Sequence, residues 1–223
     1  MGYGLCVGLN VPTDEVEQAR RWLPWWWRDQ EVQPEIVWHA ESAAECEQLS
    51  RELELWVAEH AVDLIFVHAG VVYVDGGALV FPGRSFTGKS TLVAALVERG
   101  AKYGSDEYAV ISADGLVHPY PRPISLRHED GTRPRVVVPE SQFGEPAPVS
   151  LVAHLHHDPD VEPDLAPISV SQSVLRLLDN TVAAQSRSDE ALTFLTTAVA
   201  GAAALSGARG HAPETADRLM KGW

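Results

Sequence analysis

One stretch of nine residues, Gly83-Arg84-Ser85-Phe86-Thr87-Gly88-Lys89-Ser90-Thr91, constrains this chain more than any other. It reads G-x-x-x-x-G-K-S, the pattern of a phosphate-binding loop (P-loop). The spacing has a physical cause: Gly83 and Gly88 let the backbone curl until successive N–H groups face one anion-sized hollow. Lys89 adds a point charge for the β- and γ-phosphates, and the hydroxyl of Ser90 suits Mg²⁺. Before the loop, Ala78-Leu79-Val80-Phe81 is a short apolar run of the kind found in buried strands. After it, Leu92, Val93, Leu96 and Val97 recur at helical spacing. Strand, loop and helix therefore come in the order that aims a helix dipole at bound phosphate. The segment predicts nucleotide binding, with residues 83–91 as contacts.

Bulk properties exclude several classes. The 223 residues carry a net charge of −14, which argues against nucleic acid as the main partner, because such binders present a basic face. Apolar residues make up 45% and charged residues 22%, as in an ordinary globular protein long enough to bury a core. No apolar run approaches the length of a membrane span, and no basic-then-apolar leader opens the chain, so a cytoplasmic protein with no membrane partner is expected. The two cysteines, Cys6 and Cys46, have no paired spacing, and a buried thiol is the expectation for Cys46.

The patterning predicts a small N-terminal extension over residues 1–60 and a P-loop domain over 61–223. In the extension, 3–9 and 35–39 read as strands joined by a Trp-rich connection. A helix over 42–60 presents Ala43, Cys46, Leu49, Leu53, Trp56, Val57 and His60 on one face. In the larger part, strands are expected at 62–67, 71–74, 78–81, 108–112, 136–138 and 149–156. Helices are expected at 171–182, 188–200 and 214–221. Segments 117–124, stiffened by Pro119, Pro121 and Pro123, and 158–167, rich in proline and acid, read as loops. Gly-turn hairpins beside strand–helix units imply an α/β fold with a mixed sheet and a helical C-terminal part.

A second group of chemically useful residues follows the P-loop helix. Gly104-Ser105-Asp106-Glu107 places two adjacent carboxylates at the start of an apolar strand. Neighbouring strand residues point to opposite faces, so a backbone bend here would allow one acid to hold Mg²⁺ while the other accepts a proton. A solvated acidic turn is the alternative. Arg122 and Arg127 flank a proline-stiffened segment and suit a phosphate or an acidic group, with plain surface charge as the alternative. Thr132-Arg133-Pro134-Arg135 reads equally as part of a lid or as a basic loop. His154 and His156 share a strand face without a third spaced ligand, which favours an ordinary strand end over a metal site. Trp22, Trp25, Trp26 and Trp27, with Trp38, are too many large rings for one small core. They imply packing against a subunit or domain, or an aromatic wall for an acceptor.

Taken together, His68, Gly83–Ser90, Asp106-Glu107 and Pro121-Arg122-Pro123-Ile124-Ser125-Leu126-Arg127 resemble the catalytic domain of HPr kinase/phosphorylase and its stand-alone relatives. His68 precedes Gly83 by 83 − 68 = 15 positions, the family's interval between its active-site histidine and its P-loop. The resemblance spans about residues 62–200. It implies a mixed-sheet P-loop domain distantly similar to phosphoenolpyruvate carboxykinase, with ATP and Mg²⁺ as cofactors. It also implies that Asp106 acts as general base and that Glu107, where the family often has Asp, sits near the metal with Ser90. His68 would lie close to the transferring phosphoryl group, and Arg122 is a position where the family tends to carry arginine. Family precedent further implies a homo-oligomer. Glu107 is one methylene longer than the family's Asp, Phe86-Thr87 replaces small loop residues, and no counterpart of the downstream phosphorolysis signature is present. Kinase activity is therefore carried over, and phosphorylase activity is not.

The expectation is an ATP-dependent kinase acting on an alcohol hydroxyl, first a Ser or Thr of a peptide or protein. A small hydroxyl-bearing molecule (amino acid, sugar or natural product) is the alternative within that class. A non-catalytic ATP-binding sensor is the alternative outside it, and simple ATP hydrolysis coupled to movement is the weakest.

Overall fold

The computed structural model describes residues 5–19, 33–42, 44–83, 87–126, 132 and 134–222. The chain divides into two compact units, Met1–Leu64 and Ile65–Trp223. Among the described residues no helix is long and apolar enough to cross a membrane.

In the first unit, strand β1 (Val7–Asn10) pairs in parallel with β2 (Ile36–His39), from Val7 opposite Ile36 to Asn10 opposite His39. A short helix α1 (Val16–Ala19) follows β1, and α2 (Glu45–His60) follows β2. Ala19, Ala40 and Cys46 pack together, with Leu9, Val11 and Leu49 at their margin. The buried face of α2 runs Cys46, Ser50, Leu53, Glu54, Val57 and Ala58. That stripe is displaced from the expected one, because Trp56 is only half-buried and His60 is exposed, its ring stacked on Trp56 at 4.5 Å. Cys6 and Cys46 are both free thiols. Trp22, Trp25, Trp26 and Trp27 lie outside the described residues.

The second unit is mixed α/β around one mixed sheet. Its hub is the hairpin of β3 (Leu64–Val74) and β4 (Gly77–Pro82), closed by an Asp75-Gly76 turn with φ of 50° and 79°. Positive φ at both central residues is the two-residue hairpin geometry that matches strand twist. β5 (Lys102–Ser105) pairs with β3, and β6 (Tyr108–Ser112) and β7 (Leu116–His118) extend the sheet beyond it. On the other side lie β10 (Ala147–His157), β12 (Ala203–Arg209) and the edge strand β11 (Asp164–Pro167). β8 (Ile124–Ser125) and β9 (Arg135–Val136) form a separate small ladder. The first residues of β10 also pair with β7, Ala147 opposite Val117, so that the sheet curls back on itself.

Alternation along β3 and β4 assigns the two cores. Ile65, Val67, Ala69, Val71 and Tyr73, with Ala78 and Val80, face α4 (Val170–Leu178) and α5 (Ser188–Val199). Val72, Leu79 and Phe81 face α3 (Lys89–Glu98) and α6 (Ala212–Met220). Helices thus cover both faces, as a sheet apolar on both sides requires.

Several elements differ from expectation. The runs 62–67 and 71–74 are one continuous strand, because His68 and Ala69 keep ladder-like bonds: His68 N–H donates to Asn180 O at 2.8 Å, and Ala69 N–H to Glu107 O at 3.0 Å. The segment 158–167 ends in strand β11 and is not all loop. The C-terminal part is not purely helical either, since β12 lies parallel to β10 between α5 and α6. Of 136–138 only Val136 is strand.

Candidate functional site

β4, β10 and β12 are mutually parallel, so their carboxyl ends share one edge of the sheet. That edge is where ligands of open α/β sheets bind. The chain leaves β4 there, passes through the loop from Gly83, and enters α3 at Lys89 with Gly88 as N-cap. Gly88 has φ +75°, the left-handed region that a side chain resists. Gly83 N–H donates to His68 O at 3.1 Å, and Lys89 Nζ reaches back to donate to Gly83 O at 2.7 Å, tying the two ends of the loop. Thr87, Lys89 and Ser90 are half-buried and Thr91 is exposed; Arg84, Ser85 and Phe86 lie outside the described residues, as does Arg127.

The backbone does bend between the two acids. β5 ends at Ser105 and β6 begins at Tyr108, and the buried Ser105 Oγ accepts from both Glu107 N–H and Tyr108 N–H at 3.0 Å. This staple sends the two carboxylates to different places. Asp106 turns inward, 4% exposed, where it accepts from Ser90, from Ser125 N–H at 3.3 Å and more loosely from Tyr103 Oη at 3.4 Å. Glu107 stays half-exposed, with His68 Nδ1 at 3.7 Å and an Arg122 guanidinium nitrogen at 3.9 Å.

The environments push the two acids apart. Burial raises the Asp106 pKa, and Glu107 adds to it, against the opposing pull of Arg122 and of the Ser90 and Ser125 hydrogen bonds. Burial also acts to raise Glu107, but the His68 hydrogen bond, Arg122 and Lys89 outweigh it and hold that carboxyl below its usual range. Lys89 is drawn down by desolvation, opposed by Glu107 and Asp106. Two neighbouring carboxyls with opposite tendencies are the arrangement that separates a proton acceptor from a permanent anion.

The structure therefore brings His68, Lys89, Ser90, Asp106, Glu107 and Arg122 into one constellation. His154 lies apart from it. Its Nε2 shares a 2.9 Å hydrogen bond with the buried Ser173 hydroxyl, and burial, with Arg176 nearby, pushes its pKa down to about 4. Among the described residues no group of three or more His, Cys, Asp or Glu side chains could hold a metal ion.

Three contributors escaped the sequence reading. Tyr103 is fully buried and donates to Arg122 O at 2.8 Å, holding that segment beside Asp106. Ser105 belonged to a noted motif, but nothing in its type announced the turn. Arg209, at the end of β12, donates to Thr87 O at 3.2 Å and Gly88 O at 3.1 Å. No local pattern connects it to a loop 121 positions away.

No protein-family model matches the chain, and no curated protein matches it. Among solved structures it is similar to the Hpr(Ser) kinase/phosphatase from Coxiella burnetii, at 16% identity over 70% of this chain and 95% of that one, with a TM-score of 0.36. A likeness that remote carries no statement about chemistry.

Proposed function

We propose that the chain is an ATP-dependent kinase that transfers a γ-phosphoryl group to an alcohol hydroxyl, a Ser or Thr side chain of a peptide or protein. One observation supports this above the others. Asp106, buried and proton-hungry, accepts a hydrogen bond from the hydroxyl of Ser90 next to Lys89, while Glu107 is kept anionic beside it.

The donor set suits Mg²⁺ bound with a triphosphate: Mg²⁺ takes one or two protein oxygens and completes its shell with phosphate and water. Ser90 and Glu107 would hold it, Glu107 exchanging its contacts with His68 at 3.7 Å and Arg122 at 3.9 Å. When bound, Mg·ATP supplies the activated phosphoryl group and neutralises charge on its oxygens. Residues 83–91 cradle the phosphates, and Lys89 exchanges its bond to Gly83 O for one to a phosphate oxygen. Asp106 accepts the acceptor's proton as its oxygen forms the new O–P bond and the bond to the ADP oxygen breaks. Arg122 and His68 hold Glu107 in place, and His68 borders the transferring group.

Mass spectrometry of phosphate transfer tests this, with the purified protein, Mg·ATP and a mixed pool of peptides and small alcohols. The expected result is a phosphorylated Ser or Thr peptide. Turnover should fall about 10²–10⁴-fold in Asp106→Asn, with ATP affinity nearly unchanged. Phosphate on a small alcohol would move the acceptor class. ATP binding without transfer to any acceptor would leave a nucleotide-binding module, and undiminished activity in Asp106→Asn would remove the base.

A further inference from the structure

Arg209 is 3% exposed, and its guanidinium spends its donors on carbonyls: Thr87 O and Gly88 O in the loop, and Gly210 O at 3.2 Å. Among the described residues no carboxylate pairs with it. A buried cation with no counter-charge is costly, and proteins avoid one unless something else compensates it. Carbonyl oxygens satisfy its hydrogen bonds but do not cancel its charge. The loop is also shaped around it, since a Cβ on Gly88 would come within 2.0 Å of the guanidinium. Gly88 O also accepts from Leu92 N–H at 3.1 Å, and in both trans peptide units the N–H points opposite to the carbonyl that Arg209 holds.

We propose that Arg209 is a positioning residue for the phosphate chain of the nucleotide, bracing the loop carbonyls from behind and supplying a buried positive charge whose counter-ion is the bound phosphate. This rests on the nucleotide reading above and adds a charge to the site that the loop motif does not contain. The contribution is electrostatic and acts through the loop, so it depends on the phosphates and not on the base.

Calorimetric titration of the full chain with Mg·ATP and with inorganic tripolyphosphate, for the parent chain and for Arg209→Lys, Arg209→Gln and Arg209→Met, tests the claim. Both ligands should weaken about tenfold or more in the Gln and Met variants, by the same factor for each ligand. The Lys variant should lose less than the Gln variant, because it keeps the charge while losing the planar fork that braces the carbonyls. The salt dependence of binding should also flatten in the Gln variant, a change that a purely structural role would not produce. Gln binding as tightly as the parent would overturn the inference, and so would equal losses in Lys and Gln. Parent protein that binds neither ligand would instead overturn the nucleotide reading. Thermal melts accompany each variant; if Met fails to fold, the Lys and Gln pair decides alone.

Discussion

The Asp106 carboxyl is removed from water while Arg122, Ser90 and Ser125 only partly offset the cost of its charge. A carboxyl whose pKa is raised on folding stabilises the folded state below its ordinary pKa, and that stability is lost as pH rises through the raised value. Once ionised, Asp106 is therefore a burden on the fold. Asp106→Asn should melt about 2–4 °C higher than the parent at pH 7, with the gap closing as pH approaches 4. Scanning calorimetry across pH checks this; a lower melting temperature for Asn at every pH would show that the carboxylate is instead held by its partners. The same shift fixes the sign for catalysis. On the proposed kinase reading Asp106 is the base and must be ionised, so kcat/KM should fall on the acid side at a pH above that of an ordinary carboxylate. Asp106, Glu107 and Lys89 were legible because motifs carry them contiguously. The opposite tendencies of the two acids were not, because they arise from the burial of Asp106 and from His68 and Arg122 beside Glu107, and sequence supplies neither the burial nor the distances.

The turn between β5 and β6 is the smallest element on which the site depends. Ser105 Oγ is the acceptor for two successive amides, and removing it leaves buried donors unmet. Ser105→Ala should cost about 1–3 kcal/mol, and the Glu107 and Tyr108 amides should lose hydrogen-exchange protection before the rest of β6. Unchanged protection at both amides would assign the staple to other groups. Sequence reading missed β12, which is held by long-range pairing, and also β7, a short local hairpin strand running into the expected loop 117–124. Ala203-Ala204-Leu205-Ser206-Gly207-Ala208-Arg209 has small residues of weak strand preference, yet it is clamped between β10 and β11. Gly207 fits there because a Cβ would lie 1.9 Å from Asp164 O. The long apolar segments behind β4, β6, β10 and α5 declared themselves, since periodicity and burial agree in them.

Across the larger unit, the sheet is ordered by sequence-distant neighbours: β10 joins β4 on one side to β12 on the other. The hairpin β3–β4 and helix α3 are local, whereas the guanidinium behind the loop arrives from 121 positions away. Contacts of such separation carry a large closure cost and form late in folding. A chain refolding from denaturant should regain most of its helical circular dichroism before it regains affinity for tripolyphosphate; simultaneous recovery would show that β12 docks early. The loop is thus encoded in one short segment but completed by another, so its competence has a history. On the reading proposed above, each folding event should include an interval in which the polypeptide already looks native to a spectrometer and is still blind to polyphosphate.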